Sequence, residues 1–126
     1  MSAWKSTVPT LVYVVYIFVA GSARGGGPPL ELSDKVAHAV AFGLMVPFAL
    51  LPLQRFWQRA GFAQKVGMAV VIASGLGALL ELWQTLLPWR TADVLDWVAD
   101  TMGAVVAGGG VLVLRLFIPK AGSGVV

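Results

Sequence analysis

The sequence contains no cysteine, and only 12% of its 126 residues carry a formal charge. Without cysteine, neither a disulfide framework nor a zinc site built from thiolates can form. Soluble domains average about 25% charged residues, so this composition argues against a protein that dissolves in water. The net charge of +3 is only a weak indication of nucleic-acid binding, and we expect no nucleic acid as a partner.

Long apolar runs take up most of the chain, which is 58% hydrophobic. A transmembrane helix needs about 20 mostly apolar residues, because it must cross the hydrocarbon core of the bilayer. Four segments meet this requirement, at about residues 6–23, 35–53, 66–87 and 94–118. In lipid the backbone polar groups must be satisfied within each segment, so helices are expected. We therefore predict an all-α, polytopic membrane bundle of four transmembrane helices in a single domain over residues 1–126.

The first apolar segment also has features of a secretory signal peptide. Lys5 precedes the segment, and the small residues Gly21, Ser22 and Ala23 resemble a cleavage site. A signal peptide is thus the alternative for this segment, and our prediction treats it as the first transmembrane helix.

Charged residues are segregated between the two predicted sides of the membrane. One side carries only basic residues: Lys5, Arg55, Arg59, Lys65, Arg115 and Lys120. The other side carries all six acidic residues together with three basic ones: Glu31, Asp34, Glu81, Asp93, Asp96, Asp100, Arg24, Lys35 and Arg90. Cytoplasmic loops are enriched in lysine and arginine, so this asymmetry predicts that both termini are cytoplasmic.

Ionisable and polar residues gather at the predicted outer ends of the second, third and fourth spans. Helical spacings of three and four place them on shared faces. The candidate ligand-binding set is Asp34, Lys35, His38, Glu81, Gln84, Arg90, Asp93, Asp96 and Asp100. A charge at the centre of a bilayer costs about 2.5–3.5 kcal/mol on insertion scales, so such residues usually face the interior of the bundle. We therefore predict that these side chains converge on one site near the outer surface.

The same residues carry a family resemblance. The motifs are Asp-Lys-x-x-His-x-x-x-Phe, then Glu-x-x-Gln, then Arg-x-x-Asp-x-x-Asp-x-x-x-polar-x-x-Gly. The matching residues are Asp34, Lys35, His38, Phe42, Glu81, Gln84, Arg90, Asp93, Asp96 and Gly103. In this order, over about residues 34–110, they resemble the VanZ-like family of small integral membrane proteins. The sequence departs from the family pattern at Asp100, where the resemblance leads us to expect asparagine.

The resemblance implies a class of protein rather than a reaction. The family is named for an accessory protein of resistance to the lipoglycopeptide teicoplanin. It implies a multi-pass protein of the bacterial cytoplasmic (inner) membrane, within the cell envelope, with membrane lipids as partners. We expect the polar cluster to bind an outer-leaflet amphiphile, which could be a lipid headgroup, a lipid-linked precursor or a lipophilic antibiotic.

Three alternatives to this function stay open. The cluster could be only a clamp between helices, or the protein could be an accessory subunit of a larger membrane assembly. A membrane-embedded hydrolase or transferase is the third, but no serine or cysteine nucleophile is placed beside His38, so we predict no catalytic residues. Oxygen ligands suit hard cations, yet no compact loop spacing supports a site at Glu81, Asp96 and Asp100, so we predict neither a metal nor a cofactor.

Overall fold

A computed structural model describes residues 2–23 and 31–118. Within these ranges the chain forms four α-helices: α1 (Ala3–Ser22), α2 (Glu31–Phe56), α3 (Phe62–Gln84) and α4 (Val94–Phe117). Each is long and apolar enough to cross a membrane, which confirms the predicted number and type of elements. The first three helices begin earlier than the predicted spans do, and α3 ends at Gln84 rather than in the turn that follows.

The outer surface of the bundle is apolar. Large hydrophobic side chains are widely exposed, including Val19 on α1 at 65%, Val106 on α4 at 73% and Leu116 on α4 at 81%. A soluble monomer rarely exposes contiguous apolar patches of this extent. This distribution fits a chain whose solvent is lipid, and the four helices together indicate a multi-pass membrane protein.

The most extensive helix contact is between α2 and α4, and it depends on a glycine. A Cβ atom added at Gly103 would lie 2.1 Å from the backbone oxygen of Ala39, so no larger residue fits at this crossing. Small residues of this kind let helix backbones approach closely in membranes. Later glycines of α4 have no such role, because among the described residues a Cβ at Gly109 or Gly110 would meet nothing within 4 Å.

Polar side chains of α1 attach this helix to α2. The Thr10 hydroxyl donates to the backbone oxygen of Phe48 at 2.6 Å, and the Tyr13 hydroxyl donates to that of Ala41 at 2.6 Å. Pro52 lies inside α2, four residues after Phe48, and has no N–H for that oxygen. Thr10 therefore satisfies a carbonyl group that the proline leaves without its helical partner, as a bilayer interior requires.

Two tryptophans bring the end of α1 to the end of α3. Trp83 Nε1 donates to the hydroxyl oxygen of Ser22, and Trp89 Nε1 donates to the Ser22 backbone oxygen, both at 2.7 Å. The start of α2 meets the start of α4 through Lys35 and Asp93. The end of α1, the start of α2, the end of α3 and the start of α4 thus lie at the same end of the bundle, where the polar residues collect.

Candidate functional site

The start of α4 is organised by Asp93. Its side chain caps the helix by accepting a hydrogen bond from the backbone N–H of Leu95 at 2.9 Å. Asp96 follows in the first helical turn, where the positive end of the helix dipole favours an acidic residue. The backbone N–H of Asp93 donates to Oε2 of Glu81 at 2.9 Å, which ties the end of α3 to the start of α4.

Lys35 joins α2 to this helix start. Its Nζ atom lies 2.9 Å from Oδ2 of Asp93 and also donates to Oδ1 of Asp96. The hydrogen bond from Lys35, followed in importance by that from the Leu95 amide, holds the pKa of the Asp93 carboxyl below its usual value. One lysine therefore provides the positive charge for two carboxylates, those of Asp93 and Asp96.

His38 lies one helical turn deeper, among three further carboxylate contacts. Its Nδ1 atom is hydrogen-bonded to Oδ1 of Asp100 at 2.7 Å. Its Nε2 atom lies 3.6 Å from Oδ2 of Asp96 and 3.9 Å from Oδ1 of Asp34. The imidazole is therefore the centre of the cluster, with acidic groups from α2 and α4 around it.

Two carboxylate oxygens at the base of the cluster have no hydrogen-bond partner among the described residues. They are Oδ2 of Asp100 and Oε1 of Glu81. Asp100 is fully buried at 0% exposure and Glu81 is buried at 8%. A Cβ at Gly77 would lie 2.7 Å from Oδ2 of Asp100, so glycine at this position of α3 leaves space for the carboxylate. Buried, unpartnered acceptors of this kind can bind a proton or a cation.

Arg90 lies in the turn between α3 and α4, apart from these ion pairs. Within residues 2–23 and 31–118, the ion pairs involve only Lys35 and His38 as basic partners. The buried Nε atom of Arg90 has no hydrogen-bond partner in the same part of the chain. The guanidinium group thus lies beside the cluster but forms no ion pair with its carboxylates in the described part of the chain.

A cleft of about 290 Å³ lies beside His38 and Arg90, between α1 and α2. The lining residues are Tyr16, Ile17, Ala20, Gly21, Asp34, Ala37, His38, Ala41, Phe42, Leu80 and Arg90. Tyr16 on its lining is 60% exposed, so the cleft can be reached from the surface of the bundle near this residue. One part of the cleft is polar and the rest is apolar.

Gln84 lies away from the other predicted site residues. Its Nε2 atom donates to the backbone oxygen of Gly21 at 2.9 Å, and the side chain is fully buried between α3 and α1. The other residues of the predicted set lie near His38, line its cleft, or form the ion pairs of Lys35 beside it. Gln84 instead fixes the position of α1 beside the cleft.

The contribution of α1 to the cleft is missing from the sequence-based prediction. Tyr16, Ile17, Ala20 and Gly21 form one side of the cleft, and none of them is ionisable at neutral pH. A signal for the inward face of α1 was nevertheless present. Ser6, Thr10 and Tyr13 recur at helical spacing in an otherwise apolar segment, and this stripe faces α2.

A comparison with protein-family models decides the classification. The model described as VanZ/LLP1 matches residues 4–117. The chain belongs to the VanZ/LLP1 family. This confirms the resemblance carried by the three polar motifs. Comparisons with curated proteins and with solved structures found no match.

Within this VanZ/LLP1 protein, the departure from the expected motif has a clear structural consequence. Asp100 stands where we expected asparagine, and its carboxylate pairs with His38 at the base of the cluster. An asparagine there would offer one oxygen acceptor and no charge. The aspartate therefore makes this site more acidic, at its most buried position, than the motif alone implies.

Proposed function

We propose that this VanZ/LLP1 protein binds the head group of an outer-leaflet amphiphile in the cleft between α1 and α2. Arg90 binds a phosphate or carboxylate group of the ligand, and the apolar part of the ligand extends out of the cleft near Tyr16. The observation that carries the proposal is a buried Arg90 Nε with no hydrogen-bond partner in the described part of the chain, on the wall of a cleft that is part polar and part apolar.

The surroundings of Arg90 favour binding over clamping. A clamp would pair Arg90 with Glu81 or Asp96, but Asp96 is bonded to Lys35, and Oε2 of Glu81 accepts from the Asp93 amide. Arginine presents several N–H groups in a planar fork and binds phosphate or carboxylate through two parallel hydrogen bonds. A guanidinium that is left out of the internal ion pairs is available for such a ligand.

The cleft has the mixed lining that an amphiphile needs. Ligand sites are usually apolar concavities with a few convergent polar groups. Arg90, Asp34 and His38 supply the polar groups, and an amine on the ligand would face Asp34. The volume of about 290 Å³ suits a head group and the first methylene groups, with the remaining chain lying along the exposed surface of α1.

The membrane orientation sets which leaflet supplies the ligand. The basic residues Arg55, Arg59 and Lys65 lie near the opposite end of the bundle from the cleft. The positive-inside rule assigns that end to the cytoplasm. On this basis the cleft faces the outer leaflet of the bacterial cytoplasmic membrane, where lipid head groups, lipid-linked precursors and lipophilic antibiotics are available.

Native mass spectrometry of the full chain in mild detergent tests the proposal. The probes are a short-chain phosphatidylglycerol and a diacylglycerol with the same acyl chains but no phosphate. We expect the wild type to retain phosphatidylglycerol at least tenfold more tightly than diacylglycerol. Arg90→Ala should lose that preference, and Arg90→Lys should keep part of it, because lysine retains the charge but not the planar fork.

Arg59→Ala is the matched control, because Arg59 is an exposed arginine at the other end of the bundle. It should retain phosphatidylglycerol as the wild type does. A melting curve for each variant separates binding from folding. If Arg90→Ala lowers the melting temperature while its folded fraction still binds phosphatidylglycerol normally, Arg90 is a clamp and the binding proposal is wrong.

A further inference from the structure

The base of the polar cluster contains a second potential site, separate from Arg90. His38 on α2, Glu81 on α3 and Asp100 on α4 each offer one ligand atom, and these three atoms lie within 4.8 Å of one another. We propose that these three residues bind one divalent cation of the first transition row, such as Zn²⁺ or Mn²⁺. The ion would join α2, α3 and α4, deeper in the bundle than the opening of the cleft.

The unpartnered oxygens are the first argument. Oδ2 of Asp100 and Oε1 of Glu81 have no hydrogen-bond partner among the described residues, and their side chains are more than nine-tenths buried. A buried polar atom without a partner is unfavourable, and buried charges are normally paired or coordinate a metal. A cation bound between these two side chains would provide such a partner.

The distribution of charge is the second argument. Lys35 donates to Asp93 and Asp96, and among the described residues no ion pair joins it to the two deeper acids. Within the described chain, His38 is the one basic group in contact with Asp100, and no ion pair involves Glu81. A divalent cation supplies the positive charge that the deeper pair of carboxylates lacks.

The orientation of His38 is typical of a histidine that binds a metal through one ring nitrogen and faces carboxylates with the other. Nδ1 faces Asp100, while Nε2 faces Asp96 at 3.6 Å and Asp34 at 3.9 Å. Histidines that ligate metals commonly direct the other ring nitrogen at a carboxylate, which fixes the ring orientation. Coordination through Nδ1 would replace the hydrogen bond to Asp100, while Nε2–H would keep its acidic neighbours.

The donor set selects the kind of ion. One imidazole and two carboxylates suit Zn²⁺ or Mn²⁺, whereas Ca²⁺ takes six to eight oxygen ligands. Ligands of a tetrahedral zinc ion lie roughly 3.4 Å apart, because each is about 2.1 Å from the metal. Ligand atoms that lie within 4.8 Å of one another therefore need only small shifts to bind one ion.

Asp34, His38 and Asp96 form a second group of ligand atoms within the same limit. This outer group is the weaker candidate, because Asp96 is bonded to Lys35 and the Asp34 side chain is 32% exposed. The inner group, which consists of His38, Glu81 and Asp100, has neither disadvantage. An experiment must therefore distinguish the two groups, which share His38.

Equilibrium dialysis of the full chain in detergent tests the proposal. The protein is treated with EDTA, freed of the chelator and dialysed against increasing ZnCl₂ or MnCl₂, and bound metal is measured by mass spectrometry. We expect one ion per chain for the wild type. Glu81→Gln and Asp100→Asn should each weaken binding at least tenfold, while Glu31→Gln, which removes the acid at the first residue of α2 and belongs to neither group, should bind as the wild type does.

Three results would overturn the proposal. One is the absence of stoichiometric metal in the wild type. Another is weaker metal binding by Asp34→Asn together with normal metal binding by Glu81→Gln, which would assign the ion to the outer group. The third is equal weakening by Glu31→Gln and Glu81→Gln, which would indicate non-specific attraction to acidic residues. If Asp100→Asn does not elute as a single folded species, Glu81→Gln alone carries the test.

Discussion

Oδ1 of Asp100 lies 2.7 Å from Nδ1 of His38, and the Asp100 side chain has no exposed surface. This contact joins α4 to α2 one helical turn below the ion pairs of Lys35. It also brings a carboxylate into a region where only protein surrounds it. Both the stability of the bundle and the chemistry of the site therefore depend on this pair.

Removing the Asp100 carboxylate should destabilise the fold. In Asp100→Ala, a buried ring nitrogen of His38 loses its partner, and an unsatisfied buried polar group costs about 1–3 kcal/mol of unfolding free energy. Asp100→Asn keeps an oxygen acceptor, so its loss should be clearly smaller. Thermal unfolding in detergent measures both variants. Equal losses would mean that the hydrogen bond with His38 contributes little.

The crossing of α2 and α4 should tolerate no side chain at Gly103. A Cβ there would lie 2.1 Å from the backbone oxygen of Ala39, so Gly103→Ala must separate the two helices. Overpacking of this kind costs about 1–3 kcal/mol. Gly109→Ala is the matched control on the same helix, because a Cβ at Gly109 meets nothing within 4 Å in the described part of the chain. Similar melting temperatures for the two variants would contradict the close crossing.

The ion pair between Lys35 and Asp93 should make the stability of the fold depend on pH. Lys35 holds the pKa of Asp93 below its usual value, so the folded pKa lies below the unfolded one of about 3.9. The stabilisation is therefore present above about pH 3.9 and is lost as the pH falls through the folded pKa. Asp93→Asn keeps the helix cap without the charge. The wild type should melt above this variant at pH 7, and the difference should shrink towards pH 3. A constant difference over that range would argue against the ion pair.

The orientation in the membrane can be measured with single cysteines, because the chain has none of its own. Thr91 and Gln58 are exposed positions at opposite ends of the bundle. A membrane-impermeant maleimide applied to intact cells should modify Thr91→Cys and leave Gln58→Cys unmodified until the cells are permeabilised. The reverse pattern would invert the topology and place the cleft on the cytoplasmic side.

Helical spacing and charge predict much of the site from sequence. Asp34 and His38 are four residues apart and face α4 together, as that spacing indicates. The four apolar runs predict the four helices, because crossing a bilayer leaves few alternatives. These features depend on local periodicity, which a single sequence contains.

The features that the sequence does not predict depend on how the helices meet. Gln84 was grouped with Glu81 by spacing, but its amide binds Gly21 on α1, and only the packing of α3 on α1 determines this. Arg90 could pair with several acids by position, and the geometry of the turn keeps it out of those pairs. The role of Thr10 depends on the register of α1 against Pro52, which no local pattern specifies.

The most direct test of amphiphile binding is to find where a bound lipid contacts the protein. A phosphatidylglycerol with a photoreactive diazirine near the start of one acyl chain is bound to the full protein, activated by light and mapped by peptide mass spectrometry. Amphiphile binding in the cleft predicts labels on its wall around Tyr16, Ala37 and Ala41, and their loss in Arg90→Ala. Labels spread evenly over lipid-facing positions such as Val106 and Leu114 on α4, with no change in Arg90→Ala, would contradict it.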